Sequence, residues 1–141
     1  MMQIGKRLEW DAAHRILNHE SKCATLHGHR YAAEIVVTAD ALDALGRVVD
    51  FGIIKSRVGD WIDRHWDHNT FVNAHDTALL TFCLDENRKL PFVFDGEPTV
   101  ENVVVKLMEA ATHLLSSDTG LRVVRVRVYE TPTCYAEVSA P

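Results

Sequence analysis

Gly28-His29-Arg30-Tyr31-Ala32-Ala33-Glu34-Ile35-Val36-Val37-Thr38 decides the fold, because His29, Tyr31, Ala33, Ile35 and Val37 fall on one face of an extended chain. A half-buried β-strand has this period of two. The run Ile4, Lys6, Leu8, Trp10, Ala12, His14 repeats it, apolar except for Lys6 until it reaches His14, and predicts an N-terminal strand. Near the other end, Leu121 to Glu130 reads as a third strand, with Val124, Val126 and Val128 on one side and Arg125, Arg127 and Tyr129 on the other. A short fourth strand lies around Tyr135 to Val138. Between the two pairs the period becomes helical. Asp50-Phe51-Gly52 leads into a helix carrying Ile54, Val58, Trp61, Ile62 and His65, which should end near Trp66. A second helix starts at Pro98-Thr99, with Thr99 as N-cap and Glu101 in the first turn, and carries Val100, Val104, Leu107, Met108, Ala111 and Leu115 on one stripe before Gly120 stops it. The order predicts an α+β architecture: an antiparallel four-stranded sheet with two helices on one face. Such a sheet has two edges that proteins cover, shorten or pair with another subunit, so association through the sheet is expected. Residues 73–97 are the least regular part: Thr77 to Asn87 fits an extra helix, and Leu90 to Gly96 a short extra strand ending in a turn.

A chain of 141 residues, 47% of them hydrophobic, buries one sizeable core, so residues 1–141 are read as a single domain. Fifteen basic against twenty acidic residues give a formal charge of -5, which disfavours a broad nucleic-acid or anionic-membrane surface and leaves room only for a local basic pocket. The N-terminus lacks the apolar segment of a secretory signal, and no apolar stretch approaches the ~20 residues that span a bilayer. Cys23, Cys83 and Cys134 are odd in number and widely spaced, as in a reducing compartment, so a cytoplasmic protein is expected.

The chemistry concentrates around Cys23-Ala24-Thr25-Leu26-His27-Gly28-His29. Period two puts the imidazoles of His27 and His29 on one face, and His14, at the end of the neighbouring strand, supplies a third. Three neutral histidines with an open fourth position fit a catalytic Zn²⁺ ion. Cys23 is either a fourth ligand, closing a structural site, or a free nucleophile or base beside the metal; the absence of paired C-x₂-C and H-x₃₋₅-H spacings weakens the closed reading. Asp67-His68 forms a second constellation, since a carboxylate that orients an imidazole makes a proton-transfer pair. His65 and His75 are nearby rivals, read as structural or solvated. Glu130 shares the apolar face of the third strand and needs a partner there, either an ordinary strand-end cation or the parallel N–H groups of a ligand.

Taken in order, Trp10-Asp11-Ala12-Ala13-His14-Arg15, Lys22-Cys23 with His27-Gly28-His29, Val49-Asp50-Phe51-Gly52, Asp67-His68 with Asn73, Pro98-Thr99-Val100-Glu101-Asn102 and Glu130-Thr131-Pro132-Thr133 resemble the signatures of the 6-pyruvoyltetrahydropterin and 6-carboxytetrahydropterin synthase family nearly end to end. The four-residue step from Cys23 to His27 is similar to that of the carboxy-forming bacterial branch, which serves queuosine synthesis. The resemblance implies a tunnelling fold, a ββααββ subunit whose sheets close into a barrel, usually in a homohexamer with sites between subunits. It implies His14, His27 and His29 as zinc ligands, Cys23 as catalytic base, Asp67 and His68 as proton relay, and Glu130 as the carboxylate that grips a pterin ring. The implied reaction converts 7,8-dihydroneopterin triphosphate to 6-carboxy-5,6,7,8-tetrahydropterin, acetaldehyde and triphosphate. The alternatives are triphosphate elimination to the pyruvoyl product without side-chain cleavage, or a non-catalytic zinc- or pterin-binding protein. Trp10 stands where the family commonly has phenylalanine, Trp66 where leucine is usual, and residues 73–97 are longer than in compact members.

Overall fold

A computed structural model describes residues 1–141. The central pair is β1 (Ile4–His14) and β2 (His27–Thr38), antiparallel and in register from Ile4 opposite Val37 to His14 opposite His27. Opposed residues share a face, so Ile4, Lys6, Leu8, Trp10, Ala12 and His14 meet Val37, Ile35, Ala33, Tyr31, His29 and His27 in that order on the side that the helices cover. Trp10, Tyr31, Ala33, Ile35 and Val37 are all fully buried there. Next to β2 lies β5 (Arg122–Thr131), and next to that β6 (Cys134–Ser139), both antiparallel. These are the four antiparallel strands expected from the sequence.

The sheet is larger than that by two short strands. β3 (Asn69–Asn73) pairs parallel with the end of β1, and β4 (Phe92–Phe94) pairs parallel with β3, giving the order β4-β3-β1-β2-β5-β6. The β4 strand and the helix α3 (Thr77–Glu86) that precedes it occupy the irregular segment where an extra strand and helix were expected. Nothing in the sequence pattern announces β3, because it is buried on both faces and so shows no alternation. A second correction falls on β5. A bulge shifts the β2 to β5 register between Val36 and Val37, so Val123, and not Val124, takes the buried place ahead of Val126 and Val128.

The first helical segment is one continuous rod in three parts: α1 (Phe51–Ile54), a π turn (Lys55–Gly59) and α2 (Asp60–His65). Asp50 caps it by accepting the Gly52 N–H at 2.7 Å, and Ile54, Val58 and Ile62 turn inward. The longest helix, α4 (Val100–Ser116), begins at Thr99, whose hydroxyl accepts the Asn102 N–H, and buries Val100, Val103, Val104, Leu107, Ala111 and Leu115. Both helical rods share one apolar core with the inner face of the sheet, while α3 has a separate small core with Val72. Together they form an α+β tunnelling fold, a curled sheet backed by helices. No helix is long and apolar enough to cross a membrane.

Candidate metal centre and proton-relay pair

The antiparallel register of β1 and β2 builds the first cluster. His14 lies opposite His27, and His29 lies opposite Ala12, so three imidazoles occupy one end of the covered face beside a side chain small enough to leave them room. Their rings stand edge to face, and their Nε2 atoms converge: 3.2 Å from His14 to His27 and 3.0 Å from His27 to His29. The outer nitrogens explain the orientation. His14 Nδ1–H donates to the Pro98 carbonyl at 2.8 Å, just ahead of α4, and His27 Nδ1–H donates to the Thr25 carbonyl at 2.6 Å. A carbonyl only accepts, so both rings carry their proton on Nδ1 and present the Nε2 lone pair inward. Lone pairs facing one another at that distance repel, and a cation among them removes the repulsion. The donor set therefore fits a metal ion held by His14, His27 and His29, whose donor atoms all lie within 4.8 Å of one another.

Glu130 reaches the same point from β5. Its Oε1 is 3.2 Å from Nε2 of both His14 and His29. Burial pushes the His29 imidazole down, with the Glu130 carboxylate opposing it. Cys23 sits in the short turn Lys22–Ala24 ahead of β2 and lines a cavity of about 520 Å³ together with His27, His29 and Glu130. No sulfur joins the converging nitrogens, and Cys23 is a free, half-buried thiol. The structure thus brings together the thiol, the carboxylate and the imidazole cup.

Asp67 and His68 lie elsewhere. They form the link from α2 to β3, and there they clamp β1: the Asp11 N–H donates to Asp67 Oδ1 at 3.0 Å, and the His68 N–H donates to the Asp11 carbonyl at 2.7 Å. His68 adopts a left-handed backbone, φ 54°, rare for a residue with a side chain. Its Nδ1 meets Asp67 Oδ2 at 2.9 Å, so the predicted pair is made, with the imidazole well exposed. Burial works to raise the Asp67 carboxyl, but the hydrogen bonds from Asp11 and His68 outweigh it and hold the group low. His68 lines a second cavity, of about 670 Å³, that contains neither Cys23 nor Glu130; of β2, Gly28, His29 and Arg30 reach it. His65 and His75 are exposed and line neither cavity.

Sequence reasoning missed the groups that hold these residues in place. The carbonyls of Pro98 and Thr25, which orient two imidazoles, carry no side-chain signal. Asp11, which receives the relay pair, had a faint one: it is an acidic residue on the outward side of an otherwise apolar-alternating strand.

The curled sheet backed by helices is a tunnelling fold, and the three-histidine cup at one end of it is a donor set that fits a metal ion. The chain belongs to the 6-pyruvoyl tetrahydropterin synthase family, whose model matches residues 3–141. It is 36% identical over 138 residues to the 6-carboxy-5,6,7,8-tetrahydropterin synthase of Rickettsia conorii, covering 98% of this chain and 100% of that protein. To the protein of the same name in Haemophilus influenzae it is 29% identical over 144 residues, covering 97% and 98%. Two solved structures share the fold: an uncharacterized protein from Wolinella succinogenes, with TM-score 0.84, 21% identity and 99% and 98% of the two chains covered, and the 6-pyruvoyl tetrahydropterin synthase of Caenorhabditis elegans, with TM-score 0.72, 20% identity and 99% and 96% covered.

Proposed function

We propose that the protein is a zinc-dependent lyase that converts 7,8-dihydroneopterin triphosphate, with water, to 6-carboxy-5,6,7,8-tetrahydropterin, acetaldehyde and triphosphate, the carboxy-forming step that feeds queuosine or related deazapurines in the cytoplasm. The observation that carries it is the convergence of three Nε2 atoms, two of them oriented by backbone carbonyls, at a cavity that a free thiol and a carboxylate also line. The names of the bacterial relatives support the carboxy product over the pyruvoyl one. His14, His27 and His29 would hold the zinc, which supplies Lewis-acid polarisation of the substrate's side-chain oxygens. Cys23, free of the ligand set, takes a proton from the substrate side chain. Glu130 accepts the two parallel N–H groups of the pterin edge, a bidentate match for a carboxylate, and so aims the side chain at the cup. His68, oriented by Asp67, passes protons during cleavage.

The relay pair and the thiol occupy different cavities of one chain. That separation supports a site completed between copies, in a homo-oligomer, a hexamer by family resemblance, in which the sheet edges β4 and β6 are covered. Product analysis of the zinc-loaded protein with 7,8-dihydroneopterin triphosphate tests the reading. Acetaldehyde with a carboxypterin is the expected result, a pyruvoyl product without acetaldehyde would shift the assignment to the other branch, and no turnover with zinc bound would leave a binding protein.

A further inference from the structure

The 670 Å³ cavity beside His68 has an electrostatic character at odds with the rest of the molecule. In a chain of formal charge -5, it gathers the permanent cations Arg30, Arg88 and Lys89 against a single lining carboxylate, Asp11. Asp11 pairs with Arg30 at 2.9 Å. Lys89 makes no direct ion pair: its Nζ donates to the backbone carbonyls of Asp63 at 2.8 Å and Asp67 at 2.5 Å, which fixes the ammonium at the end of α2, where its charge also helps to hold the Asp67 carboxyl low. Arg88 is exposed and enters none of the ion pairs of the chain. Like charges held together repel, and the repulsion is relieved when an anion lies among them. Asn87, Arg88 and Lys89 all come from the turn between α3 and β4.

We propose that this cavity is an oligophosphate subsite, with Arg88 as the free grip and Lys89 and Arg30 as fixed charges. It rests on the substrate proposed above, whose triphosphate tail is the anion of that class, and it sets that tail beside His68. A forked guanidinium suits phosphate oxygens, and the volume falls within the range of small-molecule sites. The residue that decides it is Arg88, since Lys89 also holds two carbonyls and its loss would disturb the fold.

The test is titration calorimetry of inorganic triphosphate into the zinc-loaded full-length protein and its Arg88→Ala and Arg88→Lys variants. Arg88→Ala should weaken binding about tenfold or more, the loss of a charge-assisted bond, and Arg88→Lys should recover part of it. Phosphate-free dihydroneopterin should bind Arg88→Ala as it binds the parent protein. No binding of triphosphate by the parent overturns the proposal. So does equal affinity in Arg88→Ala, the result expected if the metal alone captured the anion. The two readings separate cleanly: triphosphate binding that depends on Arg88 without turnover of dihydroneopterin triphosphate keeps the subsite and removes the enzyme, whereas turnover with an unchanged KM in Arg88→Ala keeps the enzyme and removes the subsite.

Discussion

Replacing Asp67 with asparagine separates what this carboxylate does for the fold from what it does for proton transfer. The side chain has two jobs, accepting the Asp11 N–H at 3.0 Å through Oδ1 and holding His68 Nδ1 at 2.9 Å through Oδ2. An asparagine oxygen can keep the first bond. Its amide then faces His68 Nδ1 as a donor, so Nδ1 must accept and the ring proton moves to Nε2, where the neutral imidazole can no longer take a proton. Turnover in Asp67→Asn should therefore fall by about 10²- to 10⁴-fold, the usual range for a lost general acid or base. Stability near neutrality should fall by no more than ~1 kcal/mol, since only the charge assistance of a partly exposed bond is lost. Asp67→Ala should cost roughly 1–3 kcal/mol, because the Asp11 N–H then has no acceptor. The pH dependence follows from the sign of the shift. The Asp67 carboxyl is held below its ordinary value, so its contribution is complete above the unfolded carboxylate pKa of ~3.9 and is lost as the pH falls through the lowered folded value. The assays are enzyme-coupled acetaldehyde release and urea unfolding of the three proteins at neutral and acid pH. Parent-like turnover in Asp67→Asn, or equal stability of the asparagine and alanine variants, would refute the reasoning.

Cys23→Ala should retain zinc by metal analysis and lose turnover, because the converging donors are His14, His27 and His29 alone; loss of the metal, or a strong thiolate-to-metal charge-transfer band in the Co²⁺-substituted parent, would return Cys23 to the ligand set. Glu130→Ala should weaken binding of a phosphate-free pterin, and unchanged affinity would remove the ring-anchor role. Asp76→Ala should cost about 3 kcal/mol in urea unfolding, since the buried carboxylate takes Arg15 in a two-pronged pair at 2.6 and 2.5 Å and caps α3 at the Leu79 N–H. Arg15 holds that carboxyl low, so the deficit should be full above the ordinary carboxylate pKa of ~3.9 and shrink in acid; a deficit that grows in acid contradicts the assignment. Trp10→Phe should cost less than ~2 kcal/mol, well under the 3–5 typical of truncation to alanine, because the change also removes the buried indole N–H that lacks an acceptor; a larger loss by thermal or urea unfolding would show that the stacking on Tyr31 at 5.3 Å dominates.

Legibility in the sequence tracked how asymmetric each strand's surroundings are. β1 alternates between a wetter and a drier face and β2 does so over its first residues, His27 to Tyr31, so period two exposed them and carried His14, His27 and His29 to the same side. β3 has no wet face, and its polar residues are satisfied inside the protein: Asn69 Nδ2 donates to the carbonyls of His65 at 2.7 Å and Leu90 at 2.8 Å, and Asn73 Nδ2 to the Glu97 carboxylate at 2.6 Å. A pattern search reads such residues as loop. The bulge that exchanges Val124 for Val123 is likewise set by pairing across strands and leaves no mark in β5 itself.

The same distinction explains why half of the candidate site was legible in position and the other half only in composition. The imidazole cup follows from alternation along two strands whose register is fixed by a buried face, because a one-residue slip would turn that whole face to water. Asp67-His68 was readable as a pair but not as a location, since a left-handed residue at a helix-to-strand link obeys neither period. Its placement comes from two backbone bonds to Asp11, on the strand that also carries His14. The two constellations face different cavities, Cys23 and Glu130 one and His68 the other. If the proposed enzyme is completed between copies, one copy's relay cavity meets another copy's thiol cavity. Mixing Cys23→Ala with Asp67→Asn subunits should then restore part of the turnover that each homogeneous variant lacks, because some interfaces would pair an intact thiol with an intact relay, and mixtures that stay inactive after subunit exchange would place both functions in one chain.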